Sequence, residues 1–391
     1  MDGLAEALVD RPILGSDVRG KRRGHRFFSG TYLPHHRNMN IFFKRRFIRR
    51  ICFGTFIFAL VCFLFVFVVV PFIFRYSYDM QRGLLFLTFV RVPNVDYNKP
   101  SNLGLVGARN LQLKTKDGLK IGVWHTLPVK HQLVAAAGQW LTGKDPSDQY
   151  NDWLRTETTI IYCHGNAGTR ASDHRVRLYQ ILNQMNYHVI AFDYRGYADS
   201  TRVPTGEEGV VEDAKTVISW VLDRATSGQV FVWGHSLGTA IASHALAELE
   251  AEGRQVPGLI LEAPFNNLSD EIREYPICQL FTWLPWFDFF FVDPVFDNRL
   301  RFQSDVNLRN VSAPILFLHA EDDMVVPYKL GKKLYNAVMG YRKDDKTVTE
   351  FVTFEYKMGH GHKFIYRDKR LPSILRKFID TNQQRNQTKV R

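Results

Sequence analysis

One apolar run, Ile51 to Phe74, has no charged residue in twenty-four positions and divides the 391-residue chain into a polar front and a long patterned body. At ~1.5 Å per helical residue it reaches about 36 Å, enough to cross a hydrocarbon layer of ~30 Å with some tilt. A secretory signal would carry a shorter apolar stretch of ~7–15 residues near the start with a small-residue cleavage site, and this run begins only after residue 50. It is therefore expected to be a transmembrane helix.

The body reads as alternating strands and helices. Leu111 to Thr115 and Ile121 to His125, separated by Asp117-Gly118, predict a hairpin. Residues 131–157 form a polar, partly helical excursion. Four apolar runs follow, at Thr159 to Cys163, Val189 to Phe192, Val230 to Trp233 and Leu259 to Leu261, with helical stretches between them. A strand at Ile315 to His319, a helix from Tyr328, a strand at Thr349 to Tyr356 and a helix from Pro372 to about Ile379 complete the series. Strands in such alternation imply a mostly parallel sheet covered on both faces, an α/β fold. Gly83 to Val90 is expected either on the bilayer surface or as the first element of the globular domain, and the last dozen residues are polar and expected to be disordered. The domain boundaries that follow are 1–50 for a basic tail, 51–74 for the span, 75–109 for a juxtamembrane segment, 110–380 for the globular domain with an insertion at 265–310, and 381–391 for a tail.

Charge adds an orientation. Residues 1–50 hold twelve Lys or Arg against four Asp or Glu, so most of the net charge of +12 lies in the front segment. Basic residues confined to one flank, with no zinc-finger spacing or RNA-binding signature, do not indicate nucleic acid. Lys44, Arg45, Arg46, Arg49 and Arg50 crowd one edge of the span, against Arg75, Arg82 and Arg91 beyond the other. The positive-inside rule then puts the front in the cytosol and the body on the opposite side, a single-pass type II topology. Cys52, Cys62, Cys163 and Cys278 make no disulfide framework. Asn267-Leu268-Ser269, Asn310-Val311-Ser312 and Asn386-Gln387-Thr388 are glycosylation sequons, in agreement with a lumenal body.

Gly234-His235-Ser236-Leu237-Gly238 lies between the strand-like run ending at Trp233 and the helical stretch from Thr239 to Glu250. In that context G-x-S-x-G is the nucleophile elbow of α/β-hydrolases, and Ser236 is the candidate nucleophile. A serine hydroxyl needs a base and an orienting acid, and in this fold the order is Ser, acid, His. Of thirteen histidines only His244, His319, His360 and His362 follow Ser236. His244 belongs to the helix after the elbow and His319 to a strand before the best acid, which leaves His360 and His362 in a glycine-bearing loop. The acid is sought in Glu321-Asp322-Asp323 at the end of a strand, where sites in open α/β sheets gather. Asp323 is favoured by its place at the loop crest, and Glu262 is the outside candidate. Oxyanion donors are expected from the amides of Leu237 and Asn166, the latter in His164-Gly165-Asn166-Ala167-Gly168. A phosphate-loop reading of that segment fails for want of a following Gly-Lys-Ser/Thr. His188 and Asp193 have an acyltransferase-like spacing but flank a buried-looking strand, and the remaining histidines lack metal-ligand spacing.

Tyr162 to Arg170, Phe192 to Ser200, Gly234 to Thr239 and His319 to Pro327 together resemble the α/β-hydrolase domain-containing protein 12 group, membrane-anchored lysophosphatidylserine and monoacylglycerol lipases. The resemblance covers roughly residues 45–380. It implies Ser236, Asp323 and His362 as the triad, choosing His362 over His360 through Lys363-Phe364-Ile365-Tyr366, and a site facing the endoplasmic-reticulum lumen or the cell exterior. Ala198 departs from the pattern, which usually has Gly there. The insertion brings eight aromatic residues within sixteen positions, Phe281 to Phe296. Trp283, Trp286, Phe287 and Phe290 are its candidate acyl-chain contacts. The expected activity is cofactor-free and metal-free hydrolysis of the acyl ester of a one-chain lipid. The alternatives are a peptidase or protein thioesterase on the same scaffold, or a binding module without catalysis.

Overall fold

The computed structural model describes residues 36–142, 147–226, 229–342 and 349–390. Residues 1–35 of the expected basic tail, 143–146 of the polar excursion and Arg391 lie outside the described residues. The apolar run is helical from His36 to Leu64, passes through one wide turn at Phe65–Val69 and continues as Val70–Tyr76. The wide turn has a local cause. Pro71 has no N–H to give to the preceding turn, and its ring would crowd the carbonyl four residues back. The membrane-length stretch is Phe43–Tyr76. It begins before the expected Ile51 because the helix extends through the basic cluster.

Eight strands form one sheet: β1 (Arg109–Lys114), β2 (Lys120–Thr126), β3 (Thr159–Cys163), β4 (His188–Phe192), β5 (Val230–His235), β6 (Gly258–Glu262), β7 (Ile315–Ala320) and β8 (Thr349–Phe354). Their order is β1-β2-β4-β3-β5-β6-β7-β8. Strands β3 to β8 pair in parallel, while β2 is antiparallel to both β1 and β4. The fold class expected from the apolar runs is therefore present, as is the hairpin.

The two faces of the sheet follow from the period-2 alternation of a strand. Ile161, Ile190, Val232, Leu261 and Phe317 face one core, with helices Glu207–Leu222, Leu237–Ala251 and Tyr328–Tyr341. Their neighbours Ile160, Val189, Trp233, Ile260 and Leu316 face the other, with helices Asp173–Gln184 and Leu371–Val390. Because both faces are covered, β3 to β7 are buried along their whole length, which is why they read as unbroken apolar runs.

Two boundaries differ from expectation. The last helix runs from Leu371 to Val390, so the segment beyond Ile379 is helical and not the disordered tail its polarity suggested. Leu375, Phe378 and Ile379 are buried in the sheet's second core, and Asn382 is buried one turn later with its amide on the Phe378 carbonyl at 2.8 Å, so packing carries the helix past its apolar stretch. In the juxtamembrane segment, Tyr78–Phe86 is a helix capped by Ser77, whose side chain accepts from Met80 N at 3.2 Å. It joins the globular domain: Phe86 is buried, and Tyr197 Oη donates to its carbonyl.

The loops at the carboxyl ends of β3 and β4 are locked by one buried cation. Arg170 Nη1 reaches Asp193 Oδ2 at 2.5 Å and Asp199 Oδ1 at 2.6 Å, Nη2 reaches Asp199 Oδ2 at 3.0 Å, and Arg170 N donates to Asp193 Oδ1 at 2.8 Å. Burial alone would raise the Asp193 pKa, but Arg170 holds it below its ordinary value. Asp193 is thus a structural ion at the end of β4. Ala198, in the turn this network closes, takes a left-handed φ of 45°, which explains why glycine is usual there.

Replacing Arg170 by Met leaves two carboxylates facing each other with no cation. The unfolding free energy is expected to fall by about 3–5 kcal/mol in chemical denaturation of the detergent-solubilised protein. A loss under 1 kcal/mol would mean the network is not what fixes these loops.

Candidate active site

Ser236 sits between β5 and the helix Leu237–Ala251 with φ 55° and ψ −125°, a region that side chains rarely occupy. The turn is held from several sides. Ser236 N donates to the Glu262 carbonyl at 2.9 Å, and Thr239 N and Oγ1 reach the Ser236 carbonyl at 2.8 and 2.6 Å. A Cβ on Gly234 would come within 2.6 Å of the Gly238 carbonyl oxygen, and one on Gly238 would collide with the Cys163 carbonyl. The two flanking glycines are therefore required by backbone contact, which lets the helix start directly against the end of β3.

The acid and base come from the loops after β7 and β8. His362 Nδ1 lies 2.8 Å from Asp323 Oδ2. Asp323 Oδ1 also accepts from Val325 N and Val326 N, at 2.8 and 2.9 Å. Burial works to raise its pKa, yet the neighbouring His319 and the hydrogen bond to His362 hold the carboxyl well below the usual carboxylate range. An ionised carboxylate only accepts, so Nδ1 of His362 carries a proton, and in the neutral imidazole the lone pair is then on Nε2. That is the tautomer a general base needs.

The neighbouring acids have distinct tasks that sequence spacing did not separate. Glu321 Oε2 accepts from Tyr356 N at 3.0 Å, and Asp322 Oδ2 accepts from Gly361 N at 2.9 Å. They tether the loop that carries His362. His360 is directed away, with its Nε2 3.0 Å from Asp368 Oδ2. Glu262, the outside candidate, is buried and accepts from Trp233 Nε1 at 3.0 Å; burial pushes its carboxyl up to about 7. It is held on the sheet and not on a histidine.

His235 is a positioning residue the sequence reading passed over. Its Nε2 donates to the His362 carbonyl at 2.8 Å, joining the elbow to the base loop. Burial keeps its pKa well below the ordinary value, so the ring stays neutral. The Ser236 hydroxyl itself has no hydrogen bond among the described residues. Such contacts often tighten only when substrate is bound.

The amide of Leu237, at the first helical position, has no intrahelical acceptor. Gly165 approaches closely enough that its Cβ would lie 3.1 Å from Ser236 Cβ, which brings the Asn166 loop alongside the serine. Tyr197 Oη lies 2.8 Å from the Asn166 carbonyl and shares its one proton between it and the Phe86 carbonyl, tying that peptide to the juxtamembrane helix.

Ser236, Leu237 and Asn166 line a cavity of about 390 Å³. Its walls are almost wholly apolar and include Val70 and Phe74 of the long helix and Phe281 and Phe291 of the insertion. This corrects one expectation. None of Trp283, Trp286, Phe287 and Phe290 lies on the cavity wall. Trp283 is 68% exposed and Trp286 41% exposed, near the turn at Pro285, while Phe287 packs on Phe291 within the insertion and Phe290 on Phe289 and on Phe72 of the long helix. The juxtamembrane helix contributes Met80, Gln81 and Leu84, a wall that no motif announced.

One histidine cluster was not visible in the spacing. His131, Glu157 and His188 bring potential ligand atoms within 4.8 Å of one another. Lys130 Nζ already lies 3.0 Å from Glu157 Oε1, and His188 Nδ1 is bonded to His125 Nε2 at 2.9 Å. The Glu157 carboxyl is pushed up by burial but brought down to about 2 by hydrogen bonds from His188, His131 and Lys130.

Residues 158–291 match a family model described as alpha/beta hydrolase fold. The chain is 40% identical to the lysophosphatidylserine lipase ABHD12 of Mus musculus over 332 residues, 84% of this chain and 81% of that one. It is 41% identical to the protein of the same name from Gallus gallus, covering 80% of this chain and 81% of that one. Among solved structures, an esterase of Pyrococcus furiosus aligns with a TM-score of 0.51 at 17% identity, over 75% of this chain and 97% of that one.

Ser236→Ala is expected to abolish fluorophosphonate labelling and hydrolysis of a p-nitrophenyl ester. Asp323→Asn, which fixes the wrong imidazole tautomer, is expected to lower kcat by about 10⁴. Labelling of the alanine variant at the wild-type rate would remove Ser236 from the chemistry.

Proposed function

The chain belongs to the family of the ABHD12 lysophosphatidylserine lipases, and on that premise we propose that it is a membrane-anchored serine hydrolase that cleaves the acyl ester of lysophosphatidylserine, related lysophospholipids and monoacylglycerols. In this reading His362 Nε2 takes the Ser236 proton as the hydroxyl attacks the ester carbonyl. Asp323 holds the imidazole and stabilises the imidazolium, and the amides of Leu237 and Asn166 receive the oxyanion. The deacylated lipid leaves with the proton from His362, and water then releases the fatty acid from the acyl-enzyme by the same steps in reverse.

One observation carries the lipid reading: the cavity that holds Ser236 is walled by the membrane-length helix itself, at Val70 and Phe74. A chain leaving the bilayer would stay in apolar contact up to the serine, avoiding the cost of about 0.8 kcal/mol for each CH₂ exposed to water. A peptide or a polar thioester substrate would bring backbone amides into walls that offer almost no partners. That favours a lipid over the peptidase and thioesterase alternatives. Exposed Ile277, Leu280 and Trp283 sit on the insertion, and Phe67 of the long helix packs against Phe281 and Trp283. An aromatic and aliphatic surface in that position suits the interfacial layer of the bilayer.

The basic cluster at 44–50 supports a cytosolic front and a lumenal body in the endoplasmic reticulum. The sequons bear on this differently. Asn310 is exposed, whereas the Asn267 side chain caps a helix by accepting from Asp270 N at 2.9 Å and gives its amide to Asp305 at 3.2 Å. In microsomes, Asn310→Gln is expected to remove an endoglycosidase-sensitive mobility shift and Asn267→Gln to leave it unchanged. Absence of any shift in the wild-type protein would contradict the lumenal placement.

The activity itself is tested with full-length protein in mixed vesicles. The wild type is expected to release fatty acid from lysophosphatidylserine and from monoacylglycerol, and Ser236→Ala to release none. Turnover of short water-soluble esters with no turnover of either lipid would contradict the reading.

A further inference from the structure

The insertion's helix Leu268–Glu274 places one carboxyl group in the apolar cavity beside Ser236. Glu271 is 7% exposed, and its side chain makes no hydrogen bond or ion pair among the described residues; its Oε2 is a buried acceptor without a partner. The other acids of the same helix are occupied. Asp270 Oδ2 accepts from Asn266 Nδ2 and pairs with Lys333, and Glu274 meets Lys329 at 2.7 Å. Gln81, on the opposite wall, is also satisfied, giving its amide to the Phe74 carbonyl at 2.8 Å and accepting from Asn298 at 2.7 Å. Glu271 is therefore the acid of this helix that lines the cavity without a partner among the described residues.

A buried polar group without a partner is costly, and the cavity in front of Glu271 is where a ligand group supplies one. We propose that Glu271 is a substrate-binding residue that hydrogen-bonds the free glycerol hydroxyl of a one-chain lipid, and so favours lipids that carry such a hydroxyl next to the ester. This rests on the lipase reading and deepens it. Burial pushes the Glu271 carboxyl up to about 8, with the charges of Asp323 and Glu274 adding to the effect. The neutral acid both donates an O–H and accepts at its carbonyl, which matches an alcohol that does the same. An ammonium headgroup would instead require the ionised form, which burial and the neighbouring Asp323 carboxylate oppose. A diacyl lipid lacks the hydroxyl and would leave the acid unpaired.

The test compares 1-acyl lysophosphatidylserine with its 2-deoxy analogue, in which hydrogen replaces the free hydroxyl, using full-length protein in vesicles. For the wild type and for Glu271→Leu and Glu271→Gln, kcat and KM are measured beside the fluorophosphonate labelling rate, which reports the reacting groups without needing the hydroxyl. The wild type is expected to prefer the hydroxylated lipid by about 10-fold in kcat/KM, mostly through KM. Glu271→Leu should erase that preference while still being labelled at Ser236, and Glu271→Gln, which also donates and accepts, should keep most of it.

Equal losses on both lipids in Glu271→Leu would overturn the proposal in favour of a packing role. Loss in Glu271→Gln as deep as in Glu271→Leu would overturn it in favour of a carboxylate paired with the headgroup ammonium. If Glu271→Leu is not labelled, the wild-type comparison decides: a preference below about twofold overturns the proposal. Wild-type protein that labels but hydrolyses neither lipid would overturn the lipase reading and this proposal together, whereas turnover without preference overturns this proposal alone.

Discussion

The hydrogen bond from His362 to Asp323 joins the loops after β7 and β8, and the site depends on its being made in one tautomer only. Everything around it serves that condition. Val325 N and Val326 N fix the carboxylate in direction, and His319 and His362 hold it ionised, so it accepts and cannot donate. Asp322 holds the base loop at Gly361, and His235 holds it again at the His362 carbonyl. The elbow contributes to its own partner's placement, since His235 and Ser236 are consecutive and the strained turn at Ser236 fixes both.

The parallel sheet makes this convergence inexpensive. β3, β5, β6, β7 and β8 lie side by side in that order, so the loops carrying Asn166, Ser236 and Glu262 emerge at one edge with those of Asp323 and His362. Residues far apart in sequence meet without a long reach from any of them. The Arg170 network then keeps the β3 loop from relaxing away from the serine, since Arg170 closes on Asp193 and Asp199 only a few residues past Asn166. Against this rigid floor the insertion and the long helix supply an apolar chamber, in which a single unpaired carboxyl stands out as the polar feature.

The legible parts of the sequence were those in which local chemistry dictates local geometry. Unbroken apolar runs announced β3 to β7 because both faces of the sheet are covered. G-x-S-x-G announced the elbow because no side chain fits at 234 or 238. What stayed hidden depends on rotation and distance. The spacing of aromatic residues in the insertion does not reveal which face of a short irregular helix meets the cavity, so Phe281 and Phe291 line it while Trp283, Trp286, Phe287 and Phe290 do not. Glu271 sits among acidic and basic neighbours, Asp270, Arg273 and Glu274, and in sequence resembles an ordinary solvated face. His131, Glu157 and His188 come together only through the pairing of strands and the packing of the excursion's helices. Polarity at 381–390 suggested disorder because the sequence does not show which partner buries Asn382.

The most direct measurement is a structure of the full-length protein after reaction with a long-chain alkyl fluorophosphonate. The account predicts phosphorus bonded to Ser236 Oγ, the phosphonyl oxygen within hydrogen-bond distance of the amides of Leu237 and Asn166, His362 Nε2 facing the adduct, and the alkyl chain between Phe281 or Phe291 and Phe74. Phosphorus on another residue, or an alkyl chain lying outside the cavity away from the long helix, would contradict it.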